Sequence, residues 1–529
     1  MADHQPQVEV LTESVRVNGT KAEATLVGGE LVWRPAAGGN GEGQERRLEL
    51  ESEVLGFQMD GKQLKFATFA ASGGGNGKGG GGDGNRRRGE VVVEMENEAT
   101  AVRWGVVISD RLASLGRPKK LFIIVNPYGG KRSGPSIFQN EVLPLIEASG
   151  VLYTMQETKH RLHAQEIAHS LDLRKYDGII CVSGDGVMVE VVNGLLQRED
   201  WEAAIKVPLG IIPAGTGNGM ARSLLHAAGE PFYISNAVFA IIRGHKRALD
   251  VTSVVQGKAR FFSVLMLTWG LVADVDIESE KYRWMGSARL DFYLLLRILN
   301  LRRYNGRILF VPAPGYEEVG DPVDQATGYE TNGFSTGFQD DGRTGSNGET
   351  CGYVGPSIKE AEAGLRWRSL NGPFVSVWLG NVPFASEDAM AAPKAEASLS
   401  PFSVHILAGH PFGGGCMKAT FADGYLDAAI IKDCPRWDVL GLVFQMKDGS
   451  YVNSPCVEYF KVKAIRIEPG LRVGSSTEGG IIDSDGEVIA RGDESDSRAG
   501  DDEPGHLMAY GPPIQLTVDQ GLATIFSPR

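Results

Sequence analysis

The chain has 529 residues, a formal net charge of −13 and 42% hydrophobic residues. That length predicts two or three domains, and the apolar content excludes a disordered chain. With 53 Lys and Arg against 66 Asp and Glu, it lacks the basic footprint of a non-specific nucleic-acid binder.

In chain order, the first unit, 1–115, is β-rich. Alternating runs at Val8–Leu11, Glu30–Trp33, Leu48–Leu50 and Val91–Val93 predict strands, and a helical pattern runs from Glu98 to Leu115. A Gly-rich tract at 72–89 ends in Arg86-Arg87-Arg88. Its GxGxxG matches have no strand–helix frame, so a flexible loop is expected. Further units are expected over 117–256 and 257–525. Polar segments near 314–364 and 491–505 read as solvated insertions.

Five scattered cysteines, with no C-x-x-C pair, predict neither a zinc site nor a disulfide framework, and a reducing compartment. No basic segment with an apolar core opens the chain, so no secretory signal is expected. The longest apolar stretch, Phe261 to Ala273, is shorter than the ~20 residues of a membrane-spanning helix. A cytoplasmic location, peripheral to an intracellular membrane, is the expectation.

The strongest signal is three strand–loop–helix units. Leu121–Val125 enters Asn126-Pro127-Tyr128-Gly129-Gly130. Gly178–Val182 enters Ser183-Gly184-Asp185-Gly186, and Leu209–Ile212 enters Pro213-Ala214-Gly215-Thr216-Gly217-Asn218. Apolar strands alternating with helices predict a parallel sheet covered on both faces, with ligands at its carboxyl edge. Glycines and helix N-termini there offer amide N–H groups to a polyphosphate. A Walker A motif is absent. Asp185, at a helix start, suits an N-cap, and equally a Mg²⁺ ligand or a proton acceptor beside phosphates.

These three loops resemble the catalytic domain shared by diacylglycerol, ceramide and sphingosine kinases. Trp269 to Arg283 narrows the resemblance to sphingosine (long-chain-base) kinases. Arg283 to Arg289 and Asp483-Ser484-Asp485-Gly486-Glu487 look most like plant-type members. The resemblance implies α/β plus β architecture: a nucleotide-binding parallel α/β domain, then a β-sandwich lipid-binding domain. The N-terminal module would be pleckstrin-homology-like. It also implies ATP, Mg²⁺ and a long-chain-base substrate phosphorylated on its primary hydroxyl.

Carried onto this sequence, the resemblance makes Asp185 the catalytic carboxylate. Asn126, Gly129, Gly130, Thr158, Gly184, Gly186, Gly215, Thr216, Gly217 and Asn218 would lie against nucleotide, with Glu190 supporting the loop. Arg283 and Arg289 would meet phosphates, a role that the planar guanidinium suits. Asp485, Gly486 and Glu487 would return from the C-terminal domain, Asp185 and Asp485 holding the metal directly or through water. Asp276 would bind the substrate amine, Asp274 being the other candidate, with Ser183 nearby. On a strand, Asp274, Asp276 and Glu278 would share one face. Met266 stands where many relatives carry a small polar residue.

His160, His163 and His169 read as a helix surface, with no carboxylate at metal spacing. Arg289 to Arg303 reads as a basic amphipathic helix: a membrane-facing gate, a calmodulin target or a core-packed helix. A homodimer is a further expectation. Rival readings are a ceramide or diacylglycerol kinase, a catalytically silent lipid-signalling adaptor, and an NAD kinase.

Overall fold

The computed structural model describes residues 10–36, 44–71, 86–130, 132–286, 288–323, 352–356, 366–395, 421–492 and 507–529. The N-terminal module is an antiparallel sheet of seven strands in the order β4-β3-β2-β1-β7-β6-β5. They are β1 (Leu11–Val17), β2 (Thr20–Val27), β3 (Glu30–Pro35), β4 (Arg46–Glu49), β5 (Val54–Asp60), β6 (Gln63–Ala71) and β7 (Arg86–Glu94). Helix α1 (Glu98–Ser114) closes the module. Asn97 caps it by accepting the Thr100 N–H at 2.9 Å. Ala101, Trp104, Ile108 and Leu112, at helical spacing, are buried. Arg86 to Gly89, expected in a loop, instead extend β7, where Ala71 pairs with Arg86 and Thr68 with Gly89. Residues 72–85 lie outside the described residues.

The module is tied to the rest by buried polar contacts. The Arg117 guanidinium donates to the carbonyls of Leu50, Glu51 and Val54 at 2.8–3.4 Å. Arg86 pairs with Glu230 at 3.0 Å.

The α/β domain follows. It holds β8 (Lys120–Val125), α2 (Gly134–Ile137), α3 (Leu143–Ala148), β9 (Leu152–Glu157), α4 (His163–Ser170), β10 (Gly178–Ser183) and α5 (Asp185–Leu196). It continues through α6 (Trp201–Ala204), β11 (Leu209–Pro213), α7 (Gly219–Ala227) and α8 (Ile234–Arg243). The strands are parallel in the order β9-β8-β10-β11. The chain therefore reverses its direction of travel across the sheet between β8 and β10, the place where such sheets bind ligands. β8, β10 and β11 are buried almost throughout, as helices on both faces require.

The C-terminal part is antiparallel. It comprises β12 (Lys246–Gln256), β13 (Ala259–Ser263), β14 (Met266–Gly270), α9 (Leu271–Glu278), α10 (Ala288–Leu299), β15 (Tyr304–Pro312) and β16 (Asp321–Pro322). Then come β17 (Arg368–Asn371), β18 (Phe374–Gly380), β19 (Phe384–Ser386), β20 (Ala389–Met390), β21 (Leu426–Lys432) and α11 (Arg436–Gln445). The last strands are β22 (Val457–Arg472), β23 (Ile481–Ser484), β24 (Glu487–Arg491) and β25 (Ile514–Phe526). β25 joins the two parts. It runs antiparallel to β12 and β22 and meets β11 in parallel at Leu209–Ile525. β12 thus lies in the C-terminal sheet, although the apolar run Phe261 to Ala273 that follows it splits into β13, β14 and the start of α9.

Within the expected insertion 314–364, Tyr353 is packed and not merely solvated. Its ring lies against Trp201 and Phe262, and its hydroxyl donates to Asp519 at 2.6 Å. Residues 324–351, 357–364 and 493–505 of the two expected insertions lie outside the described residues. No helix of the described residues is long and apolar enough to cross a membrane.

Candidate active site

The three glycine loops meet backbone against backbone. A Cβ on Gly215 would lie 2.3 Å from Gly184 Cα, and one on Gly130 2.9 Å from the Gly215 carbonyl carbon. Gly130 also has φ +53°, open to glycine at little cost. Asn126 Oδ1 accepts the Tyr128 N–H at 2.9 Å and the Thr158 hydroxyl at 3.4 Å, and Gly129 sits beside the Asn126 amide. Asn218 clamps the third loop: its Oδ1 accepts the Gly215 N–H at 2.9 Å, and its Nδ2 donates to Glu387 at 2.8 Å. Gly217 accepts the Glu387 N–H at 3.0 Å. A cleft of about 530 Å³ opens over these loops, lined by Gly130, Gly215, Thr216, Asn218, Arg289 and Glu387 among others. Glu387 carried no sequence signal; only the fold brings it here.

Asp185 begins α5 but does not cap it. Its carboxylate instead accepts the Gly219 and Met220 N–H groups, at 2.7 and 3.0 Å, at the start of α7. Burial pushes the carboxyl up to about 6 against those two hydrogen bonds, with Asp485 adding to the rise. Asp485 comes from the turn between β23 and β24, with φ +54°. Its Oδ1 accepts the N–H groups of Leu265 and Met266 at 2.7 and 3.0 Å, and burial raises its carboxyl too. Gly186 leaves the space: a Cβ there would lie 3.6 Å from the Asp485 carbonyl oxygen. Ser183, beside them, donates to the Gly184 carbonyl at 2.8 Å.

Glu190 accepts the Leu162 and Ala164 N–H groups at 3.2 and 3.1 Å, and so anchors the start of α4. Immediately before them, Arg161 pairs with Glu487 at 2.6 Å. That pair links the two catalytic parts across the site; Gly486, with φ +87°, makes the turn that presents Glu487.

The segment 274–278 is a helix, α9, and not the strand expected. Residues two apart on a helix point ~200° apart, whereas residues four apart share a face. Asp274 and Glu278 accordingly face Arg302, at 3.3 and 2.8 Å. Asp274 is buried, also accepts the Tyr304 hydroxyl, and is pushed up to about 6 by burial. It is committed to the core. Asp276 lies on the other side, beside Arg289 and Glu280, and burial raises its carboxyl. Arg289 is buried and pairs with Glu280. The Arg283 backbone lies in the turn Ser279–Met285; its side chain is outside the described part.

Asp483 was missed by sequence reasoning. It is buried; among the described residues its Oδ1 has no hydrogen-bond partner, and its Oδ2 accepts the Gly486 N–H at 3.4 Å. Burial raises its carboxyl well above the usual range, and Asp276 and Asp485 raise it further. Its alternation with Asp485 at the end of β23 was the available signal.

Residues 120–254 match the diacylglycerol kinase catalytic domain, and residues 390–497 match the YegS C-terminal NAD kinase beta sandwich-like domain. The chain is 45% identical to sphingosine kinase 1 of Arabidopsis thaliana, over 100% of this chain and 98% of that protein. The same identity holds with sphingosine kinase 2 of that plant, over 98% of each. The chain belongs to the sphingosine kinase family. Human ceramide kinase is more distant, 28% identical over 68% of this chain and 64% of that protein.

In this family member, Asp485 lies near both Asp185 and Asp483, but the ligand atoms of the three do not all come within 4.8 Å of one another. Carboxylate oxygens that accept amides keep a second lone pair, and Asp483 Oδ1 has no hydrogen-bond partner among the described residues. Oxygen donors of this kind are the class of ligand that Mg²⁺ takes.

Two further expectations change. Glu166 joins His160 and His163, with the ligand atoms within 4.8 Å of one another; His169 stays apart. The helix periodicity hid this, because His160 precedes α4. Helix α10 is amphipathic in the reverse sense from a basic surface helix. Arg289 and Arg297 are buried and pair with Glu280 and Glu278, while Phe292, Leu295 and Leu299 are 39%, 48% and 49% exposed.

Proposed function

We propose that this chain transfers the γ-phosphate of ATP to the primary hydroxyl of a sphingosine-type long-chain base, giving the base 1-phosphate. One observation carries the reading: the glycine loops line one cleft with Arg289, and the Asp185 carboxylate is fixed directly behind the third loop by the Gly219 and Met220 N–H groups. The family supplies the substrate class, through two relatives named sphingosine kinases that align along essentially the whole chain.

Phosphoryl transfer needs positioning and charge stabilisation more than covalent help from the protein. The amides of the Asn126–Gly130 and Gly215–Asn218 loops cradle the phosphates, and Arg289 faces them from α10. Asp185 accepts the hydroxyl proton as the lipid oxygen bonds to the γ-phosphorus and the bond to ADP breaks. A carboxyl raised to about 6 is poised for that work near neutral pH. Asp185 and Asp485 would hold Mg²⁺, directly or through water, and the ion would neutralise phosphate charge. Asp276 pairs with the ammonium of the base, a cation that ceramide and diacylglycerol lack. Phe292, Leu295 and Leu299 of α10, with Trp437 and Phe444 of α11 at 68% and 76% exposure, form an apolar face suited to a membrane surface. The N-terminal module, seven strands closed by one helix, reads as pleckstrin-homology-like.

The test is labelled-phosphate transfer from ATP to a sphingosine-type base, ceramide and diacylglycerol offered side by side. Label confined to the free base supports the reading. Label on ceramide or diacylglycerol at equal rates overturns it.

A further inference from the structure

Cys434 and Cys456 stand at neighbouring ends of β21 and β22. The strands pair as far as Ile431–Val457, and the Lys432 N–H donates to the Cys456 carbonyl at 3.2 Å. Beyond that bond the chain turns at Asp433, and the Cys434 and Cys456 side chains pack into the same apolar cluster as neighbours. Both are free. Cys434 is buried in the core, whereas Cys456 is half-buried and open to small solutes. Cys434 lies two residues before α11, whose Arg436 donates to the Leu299 carbonyl at the end of α10 at 3.1 Å. A covalent link here would fasten the entry of α11 to the start of β22.

We propose that Cys434 and Cys456 form a reversible dithiol–disulfide site that takes a peroxide as oxidant and restrains α11. Burial and the neighbouring sulfur push the Cys434 thiol up to about 12, so the first attack belongs to Cys456. Its thiolate attacks a peroxide oxygen, the O–O bond breaks, and a sulfenic acid and hydroxide result, the hydroxide taking up the proton that the Cys456 thiol released to give one water. The Cys434 sulfur then attacks the Cys456 sulfur. The S–S bond forms, the S–O bond breaks, and the hydroxide leaves as a second water with the Cys434 proton. Two thiols are oxidised by two electrons and one hydrogen peroxide is reduced. An external dithiol reverses the step by exchange. Cys181 is fully buried, burial pushes its thiol up to about 12, and it serves as the internal control.

The test treats the full-length protein with hydrogen peroxide, alkylates the remaining thiols under denaturant and maps peptides by mass. The expected result is a Cys434–Cys456 linked peptide, removed by dithiothreitol, with Cys181 still alkylated. Amide exchange within Arg436–Gln445 should slow at least about threefold in the oxidised form. Cys434→Ser and Cys456→Ser should each abolish the linked peptide, so that one folded variant suffices. Cys456 oxidised to sulfinic acid while Cys434 stays alkylated, Cys456 linked to another cysteine, or both thiols unreacted would each overturn the proposal.

Discussion

The Asp185 carboxylate accepts the Gly219 N–H at 2.7 Å, so the residue assigned as proton acceptor is held by the start of a different helix. The loop after β10 and the helix after β11 are thereby one unit. The positive end of α7 also offsets part of the burial cost of an ionised carboxylate.

Asp185→Asn should lower kcat by about 10²- to 10⁴-fold, the usual contribution of a general base. Asn keeps one acceptor for the two amides, so the fold should survive. Labelled-phosphate transfer and far-UV circular dichroism check both halves. Activity within threefold of the parent, in a folded variant, would remove Asp185 from the chemistry.

Asp274 and Asp276 should separate by readout. Asp276→Asn should raise KM for the base at least about tenfold, with KM for ATP little changed. Asp274→Asn breaks a buried pair with Arg302 and Tyr304 and should instead cost about 3–5 kcal/mol of stability. Thermal unfolding distinguishes them, since Tm should fall in the second and hold in the first.

The glycines of the cradle are not equivalent. Gly215→Ala drives a methyl to 2.3 Å from Gly184 Cα, a backbone clash that should cost at least about 2 kcal/mol and weaken ATP binding. Gly186→Ala meets nothing nearer than 3.6 Å and should leave Tm within a few degrees. Calorimetric unfolding of both variants decides the matter.

Asp250 gives a pH signature away from the cleft. It accepts the Gly521 and Gly424 N–H groups at 2.6 and 2.7 Å, and burial pushes its carboxyl up to about 6. A carboxyl raised in the folded state binds more protons there than in the unfolded chain. Its contribution is therefore full at low pH and lost as pH rises from about 4 through 6. Asp250→Asn should remove that segment, changing the stability difference between pH 4 and 7 by on the order of 2 kcal/mol. Denaturant unfolding at both pH values measures it, and parallel curves for parent and variant would count against the assignment.

Much of this architecture is legible in the sequence for a local reason. Leu121–Val125, Gly178–Val182 and Leu209–Ile212 are apolar runs ended by glycines, and strand, turn and helix start are all encoded within a dozen residues. Asp274 to Glu278 misleads because Val275 and Ile277 alternate with carboxylates as a strand would. Only Arg302 and Tyr304, distant in sequence, show which face of the helix each carboxylate takes. Helix α10 misleads likewise, because its buried arginines find carboxylate partners on α9 and the turn after it. Asp483 and Glu387 become informative only once β23 and β19 are placed beside the loops. The path of β25 back to β11 spans some 300 residues and leaves no local trace.

The most direct measurement is the rate of phosphate transfer to a free long-chain base and to its N-acylated form, by the parent and by Asp276→Asn. The parent should prefer the free base by at least about tenfold, and the variant should lose that preference mainly through a raised KM for the base. A parent that phosphorylates both equally, or a variant that keeps the full preference, would contradict recognition of the amine by Asp276.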